Sequence, residues 1–211
     1  MKIPGLANKG QKKFLSPHRR SKSFIPSLKF WRPWLRQLLD WIITFGSVLL
    51  CLMMLPTRFP GMELLGIGPN WVLIWVVAWS VKRSVFAGAL AGVILGLLQD
   101  AMTFPHPSHA VALAIVGMLT SLIQKQRFIQ EDFISIALIV FGMSIVTDTV
   151  FALQLSLMGD RQVEVIWIFY QRVTLASAIL SSLFAPVVYY PLNLWWQKMK
   201  ALAQSQKLSK S

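Results

Sequence analysis

Apolar residues in this chain run together in long blocks, and six such blocks follow one another from Leu38 onward. The first, Leu38–Leu55, stops at Pro56. The second, Pro69–Val81, is only 13 residues, short against the ~20 that an α-helix needs to cross a bilayer. It is expected to start earlier, near Met62, or to enter the membrane at a slant. Lys82 and Arg83 separate it from the third block, Val85–Phe104. One helix through both blocks would bury two cations, so the pattern predicts a hairpin. Pro105 and Pro107 end the third block; the fourth is Ser108–Ile123 and the fifth Phe133–Met158. The sixth runs from Val165 to about Trp196 and contains Pro186 and Pro191. Proline removes a backbone donor and crowds the preceding turn, so a helix break is expected at Pro186. The pattern predicts an all-α membrane protein with six transmembrane helices and no large soluble domain.

Charge orders these blocks. The chain has 211 residues, of which 14% are charged, against about 25% in soluble domains. Its net charge of +13 is uneven: residues 1–36 hold ten Lys/Arg and no acid. Two more basic residues lie in the 82–84 turn, two in 124–132 and four in 197–211, while the alternate loops hold Arg58, none, and Arg161. That alternation places both termini of the multi-pass chain in the cytoplasm. Residues 1–27, basic and broken by Gly and Pro, read as a disordered tail. Lys29, Trp31, Arg32, Trp34 and Arg36 then form an interfacial anchor, with rings at headgroup depth and cations toward phosphate. Anionic lipids, rather than nucleic acid, are the partner this basic segment points to, because it abuts an apolar helix. The basic part is too long for a cleavable signal, and no small-residue cleavage pattern follows the first apolar run. The domain reading is a basic tail and anchor over 1–36, a six-helix domain over 37–197 and a basic cytoplasmic tail over 198–211.

Three sets of residues stand out within the blocks. The third carries Gly88, Gly92 and Gly96, one every four residues, and then Asp100. Small residues at this spacing let helix backbones approach closely in a membrane. The stripe is either the internal seam of the bundle or a docking groove for another helix. Asp100 either caps that contact or is solvated near the headgroups. Asp148, in the middle of the fifth block, is a costly mid-span charge. It is expected to pair with Arg172 in the sixth block, or else to be protonated and hydrogen-bonded to Thr147, Thr149 or nearby backbone. His106 and His109 flank Pro107, but a third ligand at a fitting spacing is missing, so a solvated loop is the reading and no metal is expected. No HExxH, GxSxG, Walker A or GxGxxG motif occurs, and no Ser/His/Asp spacing signals a triad. No catalytic residue and no cofactor are expected. Cys51, the single cysteine, excludes an internal disulfide.

Several of these features together resemble the rod shape-determining MreD family, small integral membrane components of the bacterial cell-elongation machinery. They are Pro69-Asn70-Trp71 opening a short apolar helix, Gly88-x3-Gly92-x3-Gly96-Leu97-x2-Asp100, and the small-residue helix from 108. A final helix with Leu183-Phe184-Ala185-Pro186 and then Pro191 before a basic tail completes the set. The resemblance covers about residues 38–200. It implies a non-enzymatic scaffold that binds a single-span MreC-like protein within the membrane. Through that protein it would link an actin-like filament protein to the peptidoglycan (wall) synthases. The family is also similar in architecture to the substrate-binding subunits of energy-coupling-factor transporters, so the rival expectation is a vitamin-binding subunit. Such a pocket would draw on Asp100, His106, His109 and Asp148.

Overall fold

A computed structural model describes residues 33–57, 61–64, 66–103, 107–125, 133–158 and 163–208. Six helices follow in order: α1 (Pro33–Met54), α2 (Trp71–Ser80), α3 (Val85–Thr103), α4 (His109–Lys125), α5 (Phe133–Met158) and α6 (Val163–Leu208). Four stretches are long and apolar enough to cross a membrane: Gln37–Met54, Val85–Thr103, Phe133–Met158 and Gln171–Ala201. Among the described residues there is no strand beyond an isolated bridge, Leu64↔Ile67. Large side chains such as Phe86, Ile134 and Leu157 are about four-fifths exposed. That arrangement suits lipid as the surrounding solvent and would be unfavourable in water.

The short α2 is the centre of the bundle. Every residue from Val72 to Ala78 is buried, and α2 touches all five other helices. A helix that is apolar on every side has no solvent face to present, and here neighbours cover the whole of it. The expected earlier start near Met62 is not what forms. Gly61 and Gly66 take positive φ values of 92° and 77°, a left-handed conformation that ends regular structure before Pro69. Asn70 then caps α2, its Oδ1 accepting the Leu73 N–H at 3.0 Å. The Asn70 N–H donates in turn to Ser181 Oγ of α6 at 2.9 Å, pinning the start of α2 to a residue 111 positions away.

The expected break at Pro186 does not occur: α6 continues through both Pro186 and Pro191 to Leu208. A proline costs a helix one backbone hydrogen bond, but ending the helix within an apolar layer would orphan several more donors and acceptors. Continuing is therefore the cheaper outcome, and it carries the helix past Trp196 into the basic C-terminal residues. α1 is the least embedded of the spans. Only 11% of its apolar window is buried, against 33–39% for the other three.

Candidate functional site

The glycine stripe of α3 packs against α4. A Cβ built on Gly92 would fall within 3.0 Å of the Leu113 carbonyl and the Ala114 nitrogen; on Gly96, within 3.0 Å of the Ala110 backbone; on Gly88, of the Gly117 carbonyl and Ser121 Oγ. Gly117 reciprocates against the Gly88 carbonyl. All four glycines meet backbone, so the two helices touch main chain to main chain. The stripe is an internal seam, closed by α4 and not available as a groove for a second protein. At the Gly117 end, Ser121 Oγ sits within 3.1 Å of the Ser80 carbonyl and 2.9 Å of the Gly117 carbonyl, tying the seam to the end of α2.

Asp100 terminates the seam by capping α4. Its Oδ1 accepts the His109 backbone N–H at 2.9 Å and lies 2.8 Å from His109 Nδ1, while Oδ2 accepts the Ser108 hydroxyl at 2.5 Å. Ser108 Oγ in turn accepts the Ala110 N–H at 3.1 Å. The first turn of a helix leaves donors without intrahelical partners and carries partial positive charge, so a carboxylate there both bonds and neutralises. The His109 ring packs on Phe151 of α5, centroids 4.7 Å apart, which extends the cluster to a third helix. Ser108, His109 and Asp100 are thus together, but Ser108 and His109 both bond the same carboxylate. In a nucleophilic triad the serine would hydrogen-bond the histidine instead. His106, the other histidine of the loop expected to be solvated, lies outside the described residues, and His109 is packed and hydrogen-bonded instead.

Asp148 and Arg172 are not brought together. Among the described residues the Asp148 carboxyl takes its hydrogen bond from Thr174, and Arg172 is exposed. Two residues along a helix is a rotation of about 200°, so with Thr174 turned to α5, Arg172 points away from it. Thr147 and Thr149, the alternative partners, donate to their own helix at Met143 and Ile145. Among the described residues Asp148 Oδ2 is buried with no partner, at the wall of a groove of about 360 Å³ lined by Thr149, Gln171 and Thr174 among others.

Several polar contacts had no forewarning in local sequence. Trp75 Nε1 donates to Ser47 Oγ at 2.8 Å. Trp75 stacks on Trp79 at 5.3 Å, Trp79 meets the edge of Trp196 at 5.4 Å, and the Arg83 guanidinium lies 4.3 Å over the Trp79 ring. Trp195 Nε1 donates to Asp40 Oδ1 at 3.1 Å, joining α1 to α6. Of the expected membrane anchor, Lys29, Trp31 and Arg32 lie outside the described residues. Trp34 is exposed on the first turn of α1, the helix that also carries Arg36.

A family model described as rod shape-determining protein MreD matches residues 35–198. No curated protein and no solved structure matches the chain.

Proposed function

The chain belongs to the MreD family of rod shape-determining proteins, a membrane component of the cell-shape machinery, and on that premise we propose that it acts as a non-enzymatic scaffold. In this reading it holds a single-span MreC-like protein in the inner membrane and helps couple a cytoplasmic actin-like filament to peptidoglycan synthesis. It does so as a six-span protein with both termini cytoplasmic, as the alternation of basic residues between loops implies. The family match over residues 35–198 carries the proposal.

Two observations weigh against the vitamin-binding alternative. Asp100 and His109, which a polar pocket would draw on, are engaged with each other and with the start of α4. The pocket at the end of the bundle opposite the Lys82–Arg83 turn, beside Thr57 and Glu63, measures about 170 Å³. Small-molecule sites generally run to about 300–1,000 Å³; the groove beside Asp148, at about 360 Å³, reaches that size and is where the alternative would have to place its ligand.

Depletion in a rod-shaped host tests the scaffold. Cells are expected to round up, and the MreC-like partner to be lost from complexes purified from native membranes. Rods of normal shape with impaired vitamin uptake would overturn the proposal in favour of the transporter reading.

A further inference from the structure

A pocket of about 250 Å³ opens at the end of the bundle where α1 begins, α2 turns into α3 and α6 leaves the apolar layer. Its charged walls are Lys82 and Arg83 of the turn and Lys200 of α6, with Asp40 of α1 as the single acid. Asp40 is already engaged by Trp195, and Asn193 Oδ1 accepts a hydrogen bond from Lys82 Nζ. The remaining walls are apolar: the Trp79 and Trp196 rings and Met199. Trp196 is 6% exposed, and the residue closes one side of the pocket.

We propose that this pocket is a headgroup site for an anionic phospholipid. The lipid phosphate would be held by the charge of Lys82, Arg83 and Lys200, against the Trp79 and Trp196 rings. The chemistry favours phosphate, because a guanidinium presents a planar fork that matches its oxygens. The walls favour a lipid over a free anion. Tryptophan rings at the end of membrane spans sit where headgroup meets acyl chain, and basic pockets between transmembrane helices bind such headgroups. The cations that line the site lie outside the basic segment of residues 1–36, and the proposal rests on the membrane setting of the helices, not on the scaffold role. A rod-shape experiment that failed would leave it standing.

The test uses the full chain, purified in detergent and presented with equal amounts of phosphatidylglycerol and phosphatidylcholine, with bound lipid counted by native mass spectrometry. The wild-type protein is expected to retain one phosphatidylglycerol in preference to phosphatidylcholine. Arg83→Gln with Lys200→Gln, both at exposed positions, should reduce that preference about thirtyfold, the effect of two cations at ~1 kcal/mol each. Arg172→Gln, an exposed cation near the other end of α6, should leave it unchanged. The proposal is overturned if the wild type shows no preference, if the double charge variant retains it, or if Arg172→Gln abolishes it. Displacement of the lipid by inorganic phosphate at equal concentration would show a free-anion site and overturn it too.

Discussion

Replacing Gly92 by alanine adds one methyl group to a helix face that is closed by backbone. The new Cβ would lie within 3.0 Å of the Leu113 carbonyl carbon and oxygen and of the Ala114 nitrogen. No rotamer change relieves such a clash, because the obstructing atoms belong to the main chain of α4. The helices must part by roughly 1 Å, and a gap of that size forfeits a quarter to a half of the dispersion energy of each contact it opens. The loss is spread along the seam, since Gly88, Gly96 and Gly117 depend on the same separation. Overpacking of this kind costs about 1–3 kcal/mol, and Gly92→Leu should cost more. For a chain of this length ~1 kcal/mol lowers Tm by about 2–4 °C, so Gly92→Ala is expected to lower it by about 3–10 °C. The control lies in the same protein. Gly142 on α5 and Gly46 on α1 have nothing within 4 Å of a built Cβ. At those positions alanine should be neutral, or stabilising by up to ~1 kcal/mol through helix propensity. Thermal unfolding of detergent-purified protein, followed by size-exclusion chromatography, reads all three. Equal Tm for Gly92→Ala and Gly142→Ala would refute the backbone seam.

Asp100→Ala removes the acceptor for the His109 N–H and for the Ser108 hydroxyl and should destabilise by about 1–2 kcal/mol. Faster amide exchange confined to the first turn of α4 would check it, and unchanged exchange would count against the cap. Because Asp148 bonds Thr174 and not Arg172, the variants Asp148→Ala and Arg172→Ala should be additive within about 0.5 kcal/mol in a double-mutant cycle. A coupling above ~1 kcal/mol would restore the ion pair.

How much of this was legible in the sequence depends on whether the deciding interaction was local. The bounds of α3 and α5 follow from apolar runs that end at proline or polar residues, and they fall where the hydropathy placed them. The glycine stripe announced a close approach, but the identity of its partner was left open. The answer was present as a second pattern, Ala110, Ala114, Gly117 and Ser121, small residues at helical spacing on α4 that complement the stripe. Asp100 was seen as the end of the stripe, whereas its role depended on a helix start nine residues later. The register of α6 against α5 was not legible, because nothing local says which side of a long apolar helix turns inward. Arg172 was therefore assigned a partner that Thr174 occupies. The continuity of α6 through Pro186 was missed for a different reason. Proline rules describe helices in water, where a broken backbone finds solvent donors, and the apolar layer removes that alternative. The contacts of Asp40 with Trp195 and of Trp75 with Ser47 join residues far apart in sequence and were not signalled by spacing.

The burial of α2 bears on how the protein is made. Ten helical residues rise about 15 Å, half of the ~30 Å hydrocarbon thickness, so α2 has poor standing as an independent transmembrane segment during synthesis. Its N-terminal cap is held by Ser181 and much of its surface by residues of α6, which leave the ribosome after the other five helices. Until then α2 is a guest of α1, α3, α4 and α5, without its remaining neighbour. The centre of the bundle is therefore completed only when α6 arrives, and a chain interrupted before α6 lacks the helix that closes it.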